Sequence, residues 1–127
     1  MLKLQFHGHS CWQVSDDNHS VLIDPFLTGN PLADTGPEAF TRLDAIIVTH
    51  GHGDHTGDTE EIAKATGALI VSNFEIAEYF TARGCEAHPM HIGGGHNFPF
   101  GHVKFTIAHH GSTGPGGEPL GNPMGVV

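Results

Sequence analysis

Within seven consecutive residues, Thr49-His50-Gly51-His52-Gly53-Asp54-His55, the chain gathers three imidazoles and a carboxylate. Zinc and similar ions take neutral imidazole nitrogens or carboxylate oxygens at about 2 Å, converging from several directions. Single small residues separate His50 from His52 and His52 from Asp54, so alternate side chains can face one point, with Gly51 and Gly53 expected to enable a tight turn. His55, next to Asp54, must point elsewhere along the loop, which suits two neighbouring ions better than one. A plain polar turn is the competing reading. Four ligand side chains within six positions are hard to place in one, and the segment is read as a divalent-cation centre.

The elements that must position this cluster are legible in outline. Leu2 to Phe6, Cys11 to Val14 and Ser20 to Asp24 read as short strands separated by Gly, Ser, Asn and Asp. Pro25 to Thr41 reads as a loop. Ala45-Ile46-Ile47-Val48 is an uninterrupted apolar run, the pattern of a strand covered on both faces, and the histidine cluster starts where it ends. Asp58-Thr59-Glu60-Glu61 predicts a capped helix over 59–66, stopped by Gly67. Ala68 to Val71 follows as a second buried strand, and Ser72-Asn73-Phe74-Glu75 caps a helix ending near Gly84. This alternation implies an α/β layer architecture. His88 to Gly101 reads as a Gly-rich loop, so His88, His91, His96 and His102 are expected to be loop residues. Its Gly93-Gly94-Gly95 run lacks the Lys and Ser/Thr of a phosphate-binding loop. Val103 to Ala108 alternates like a strand and delivers His109 and His110 at its end. Gly111 to Gly125 has linker composition, and Met124-Gly125-Val126-Val127 resembles a strand cut off in its first residues.

Composition narrows the partners. At 127 residues and 13.5 kDa, with 38% apolar content, the chain is expected to fold as one domain over 1–127. A formal charge of −9, with five basic residues scattered singly, leaves no footprint for a phosphate backbone, so nucleic acid is not an expected partner. No apolar stretch approaches a membrane span, and the start alternates apolar and polar residues unlike a secretory signal. Cys11 and Cys85 are the only cysteines, too few for a disulfide framework, and a cytoplasmic setting is the default. Histidine is the outlier, with 12 copies dispersed along the chain, a distribution that invites a site assembled by folding.

The His-x-His-x-Asp-His pattern after an apolar strand resembles the signature of the metallo-β-lactamase fold superfamily. Further segments extend the resemblance: Phe6-His7-Gly8-His9-Ser10, Val21 to Pro31, His88 to Gly94 and Ala108-His109-His110-Gly111-Ser112. Together they resemble the branch of metal-dependent hydrolases related to ascorbate-phosphate lactonase, over essentially the whole chain. The resemblance implies the N-terminal half of an αββα sandwich, a mixed sheet flanked by helices, and an apparently truncated domain. It implies a first cation site of His50, His52 and His110, with His109 as the substitute for His110, and a second to which Asp54 and His55 contribute. The family's other ligands for that second site, a bridging aspartate and a last histidine, come from the second half. With two protein ligands the second site is expected to bind weakly or stay empty. Water between two such ions would become a hydroxide able to attack a carbonyl, with Asp54 orienting it as the catalytic carboxylate.

Three residues are placed around this centre. His7 and His9 alternate on an early strand and are expected to line the pocket or touch substrate, a solvated strand end being the alternative. Asp24, at the end of a buried strand, is expected to hydrogen-bond a ligand imidazole and fix its tautomer, a simple turn cap being the alternative. The leading functional expectation is a hydrolase of a small ester, lactone or phosphorylated molecule, using zinc, with manganese or iron as alternatives, one or two ions in number. The competing expectation is a non-catalytic metal-binding half-domain that assembles with a second copy or a missing C-terminal half. Imidazole and carboxylate ligands also suit iron and oxygen chemistry.

Overall fold

The computed structural model describes all residues, 1–127. Six strands form one mixed sheet in sequential order: β1 (Lys3–Phe6), β2 (Trp12–Ser15), β3 (Ser20–Ile23), β4 (Ala45–Ile47), β5 (Leu69–Asn73) and β6 (Ala87–Met90). The first three pair antiparallel and β3 to β6 run parallel. Three more, β7 (Gly95–Phe98), β8 (Gly101–Ile107) and β9 (Met124–Val126), form a smaller antiparallel sheet. The helices are α1 (Gly53–Thr56), α2 (Thr59–Thr66) and α3 (Phe74–Thr81), with a 3-10 turn at Pro37–Ala39. None of them is long and apolar enough to cross a membrane.

The period-2 alternation of the parallel strands sorts their side chains into two cores. Leu22, Ile46, Val48 and Ile70 point one way and pack with Ile62 and Ala63 of α2 and Ile76 and Phe80 of α3. Val21, Ala45, Ile47, Val71 and Met90 point the other way, onto Val103, Phe105 and Met124 of the small sheet. The result is an α/β fold in three layers: helices, a mixed sheet and a small sheet. Ile46 and Ile70 have no solvent exposure, and truncating either to Ala removes about 2–5 kcal/mol of stability.

Several expectations need correction. The segment 88–101 is not a loop: β6 and β7 run through it, placing His88 on β6, His96 on β7 and His102 on β8, with His91 alone in the turn. Pro89 is tolerated because β6 is the edge strand of its sheet. Residues 111–123 are not a free linker. Gly51 donates its N–H to Ser112 Oγ (2.9 Å), Ser112 Oγ donates to the Leu120 carbonyl (2.9 Å), Leu120 is buried, and Asn73 Nδ2 donates to the carbonyls of Leu120 and Asn122. Helix α2 has the expected bounds and stops at Gly67 in the left-handed region (φ 74°), but Asp58 does not cap it. Its carboxylate accepts instead from the N–H groups of Leu27 (2.9 Å) and Thr28 (2.8 Å), pinning the loop after β3. Asn73 does cap α3, accepting from Ile76 N at 2.8 Å, and that helix ends at Thr81, before the turn to Gly84.

Candidate metal centre

In a parallel sheet the carboxyl ends of the strands are where ligands bind, and the cluster lies there. Thr49 and His50 follow β4, Asp24 follows β3, and His109 and His110 follow β8. His52 serves as N-cap of the four-residue helix α1, so Asp54 and His55 sit in its first turn rather than in an open loop. Neither Gly51 nor Gly53 has a positive φ. Gly51 is required for closeness: a Cβ there would lie 2.7 Å from Leu120 Cβ and 2.9 Å from the Ser112 carbonyl oxygen. Gly53 has Pro115 at 3.8 Å and room to spare.

His50, His52 and His110 offer ligand atoms within 4.8 Å of one another. Their ring centroids are 4.8 Å (50–52), 4.9 Å (50–110) and 4.9 Å (52–110) apart. His109 is exposed and outside this triad. Asp54 and His55 form a second group with His9, and Asp24 a third with His50 and His55.

The hydrogen bonds behind the triad assign a tautomer. Thr49 Oγ1 donates its single hydrogen to Asp24 Oδ2 at 2.6 Å. The 2.9 Å contact between Thr49 Oγ1 and His50 Nδ1 must then be Nδ1–H donating to the hydroxyl. That leaves a bare lone pair on His50 Nε2, which is buried and has no partner; Thr59 Oγ1 is the other such side-chain atom. An orphaned buried nitrogen costs about 1–3 kcal/mol unless something binds it. A cation among three imidazoles is what this donor set fits. Burial, with the neighbouring His55 next in weight, pushes the His50 pKa down to about 4, so the ring is neutral and ligand-ready at neutral pH.

Asp24 does more than the sequence suggests. Its backbone is in the left-handed region (φ 45°), it is 2% exposed, and its carboxylate accepts from Thr49 N (2.8 Å), Thr49 Oγ1 and His55 Nδ1 (2.8 Å). It thus fixes the proton of His55 directly and that of His50 through Thr49. Burial alone would lower the His55 pKa, but the hydrogen bond and charge of Asp24 outweigh it and raise it. Thr49 has no role in the sequence reading; its position between a buried strand and the first histidine is the only signal it gives.

His7 and His9 follow β1 in a tight turn rather than alternating along it. The structure does not bring His7 to the cluster. It is 3% exposed, with Nδ1 2.7 Å from Asp34 Oδ1 and Nε2 3.3 Å from Gln13 Oε1. His9 does reach it, with Nε2 3.4 Å from Asp54 Oδ2 and its ring 5.1 Å from that of His55. His110 also lines a groove of about 530 Å³, together with Ile92, Ile107, His109, Asn122 and Pro123.

Known proteins share this arrangement of sequence and fold. The chain is 50% identical over 112 residues to a UPF0173 metal-dependent hydrolase of Desulfitobacterium hafniense, covering 88% of this chain and 48% of that one. It is 51% identical over 112 residues to a UPF0173 metal-dependent hydrolase of Bacillus cereus, covering 88% and 49%. Among solved structures, Igni18, a metallo hydrolase of the archaeon Ignicoccus hospitalis, superposes with a TM-score of 0.88 at 34% identity, covering 99% of this chain and 55% of that one. The chain therefore spans about half the length of the curated relatives it matches. Residues 3–122 match the β-lactamase superfamily domain, and the chain belongs to that family.

Proposed function

We propose that this chain carries the cation-binding part of a metal-dependent hydrolase acting on a small ester, lactone or phosphorylated molecule, with zinc as the resident ion and manganese or iron as the alternatives. The observation that supports it most is the buried, unpartnered Nε2 of His50 in the company of His52 and His110. When bound, a divalent ion supplies Lewis-acid charge that polarises a carbonyl or phosphoryl oxygen and acidifies nearby water. The residues of the chain do the rest. Asp24 and Thr49 keep the His50 proton on Nδ1 and the His55 proton on its Nδ1, so both rings present Nε2. Asp54, half-exposed on α1, is placed to orient the attacking water. The groove beside His110 falls in the usual size range of small-molecule sites, about 300–1,000 Å³, with apolar walls from Ile92 and Ile107 and polar groups from His109 and Asn122. Two free, buried thiols suit a cytoplasmic setting.

The test is metal analysis joined to an assay. Purified chain is expected to hold at least one transition-metal ion per molecule, and His52→Ala to lose it. A panel of small esters, lactones and phosphodiesters is expected to be hydrolysed by the metal-loaded chain, or by a longer polypeptide containing it, and not after chelation. Equal metal content in wild type and His52→Ala counts against the reading.

A second reading, a non-catalytic metal-binding half-domain that assembles with a second copy or with a missing C-terminal half, is favoured by one face of the large sheet. Cross-strand pairs put Leu4, Val14 and Val21 in one row and Phe6, Trp12 and Ile23 in the next. The small sheet covers the inner members of these rows, while Leu4 (63%) and Trp12 (42%) stay exposed. A second copy covering this face would give twice the 13.5 kDa mass in solution, and Leu4→Lys would return the monomer. A monomeric wild type at micromolar concentration removes the second copy as the partner.

A further inference from the structure

We propose that His9 is a third protein ligand of a second cation position, shared with Asp54 and His55, so that this chain by itself holds two ions side by side. The inference rests on the hydrolase reading above and deepens it, since two ligands alone would leave that position weak.

Three features point to His9. One ligand atom from each of His9, Asp54 and His55 lies within 4.8 Å of the others. His9 Nε2 stands 3.4 Å from Asp54 Oδ2. That is too long for a charge-assisted hydrogen bond, which closes to about 2.7–2.9 Å. Two donors each about 2.1 Å from a shared tetrahedral ion are, by contrast, about 3.4 Å apart. His55 supplies the remaining donor, because its Nδ1 is held by Asp24 at 2.8 Å and Nε2 is left over. Its ring lies 4.0 Å from that of His50 and 5.1 Å from that of His9, between the two groups.

The backbone is built to hold His9 in place. His9 adopts a left-handed conformation (φ 58°), uncommon for non-glycine residues and entered more readily by Asn, Asp and His than by the others. The preceding Gly8 (φ 98°) lies so close to Leu32 that a Cβ would meet its carbonyl oxygen at 2.5 Å. Cys11 N donates to the Gly8 carbonyl (3.0 Å), His7 N donates to the Cys11 carbonyl (2.9 Å), and the Cys11 side chain is fully buried. Phe26 sets its ring edge-on to the His9 imidazole at 5.5 Å. A strand end that merely tolerated a solvated histidine would require none of this.

The experiment counts and titrates ions. Metal-free chain is titrated with zinc against a chromophoric chelator, and with cobalt while visible absorption is followed, for wild type, His9→Ala, His9→Asn and the surface control His102→Ala. Asn is the non-glycine residue that tolerates the left-handed conformation well, so His9→Asn removes the imidazole while sparing the turn. Wild type and His102→Ala are expected to take two equivalents. Both His9 variants are expected to keep the first and to weaken the second by more than about 100-fold, the upper limit for losing a mere supporting partner. Two equivalents of unchanged affinity in folded His9→Asn overturn the role of His9. A wild type that binds one equivalent overturns the second position and leaves the hydrolase reading standing, and one that binds none overturns both.

Discussion

Two groups of histidines touch in this molecule, and only one is built to hold a cation. His88 of β6 and His96 of β7 have ring centroids 4.5 Å apart, closer than the 4.8 Å between His50 and His52. Both rest on Phe98, at 5.0 and 4.6 Å, and Phe98 stacks on Phe100. No third His, Cys, Asp or Glu joins that pair to complete a ligand group. Behind His50 stand a hydroxyl and a buried carboxylate, and its free nitrogen is sealed from water without a partner. Ring proximity is therefore a weak criterion. What distinguishes the cation centre is a fixed tautomer and a lone pair that the fold leaves unsatisfied.

The largest test of that contrast is to remove the carboxylate. Asp24→Ala strands Thr49 N, Thr49 Oγ1 and His55 Nδ1, costing at most about 1–3 kcal/mol for each of these part-buried donors left without an acceptor. Zinc affinity is expected to fall about 10–100-fold. His88→Gln, measured in parallel by urea unfolding and zinc titration, is expected to leave affinity untouched. If the two variants lose affinity equally, the contrast is wrong.

A smaller effect sharpens the role of residues 111–120 in holding the centre together. Gly51→Ala forces a Cβ against Leu120 and the Ser112 carbonyl, an overpacking worth about 1–3 kcal/mol, whereas Gly53→Ala meets only Pro115 at 3.8 Å and is expected to be near neutral. Thermal unfolding of the two variants checks this. A Gly53→Ala as damaging as Gly51→Ala would show that backbone freedom, not close approach, explains both glycines.

The smallest effects appear with pH in the metal-free chain. His50 is held down to about 4 by burial and then by His55, and His88 is lowered by burial and then by His96. In the unfolded chain both titrate near the ordinary value of about 6.5 and bind protons that the folded chain refuses. Stability is therefore expected to fall as pH drops from about 6.5 toward 4, His50 contributing more than the half-buried His88. His55, raised by Asp24, works in the opposite sense: its contribution is complete below about 6.5 and is lost as pH rises through its raised value. Urea midpoints between pH 7 and 4.5 are expected to keep most of their slope in His88→Gln. A flat profile in that variant would shift the acid-sensitive group to the β6–β7 pair.

The legible parts of the fold are those written in local pattern. Ala45 to Val48 announces a strand covered on both faces, Gly67 ends α2, and Asn73 caps α3, because each signal acts within a few residues. Strands β6 and β7 are hidden by Pro89, tolerated on an edge strand, and by Gly93 and Gly94 in the turn after it and Gly95 at the start of β7. The order of residues 111–123 is equally hidden, since Ser112, Asn73 and Leu120 act across tens of residues of separation. The site divides in the same way. His50, His52, Asp54 and His55 announce themselves by spacing, and the sequence reaches Asp24 through its place at a strand end. The relay through Thr49, the diversion of His7 to Asp34 and Gln13, and the arrival of His9 beside Asp54 depend on distant contacts that no local pattern encodes.

The central claim is that imidazoles from β4 and β8 converge on one cation, and it is tested most directly by zinc titration of His110→Ala beside His109→Ala. Both residues are exposed and line the groove, but only His110 is within ligand distance of His50 and His52. The account predicts that His110→Ala weakens the tight equivalent by more than about 100-fold and that His109→Ala leaves it intact. Equal affinities in the two variants, or a loss confined to His109→Ala, would contradict it.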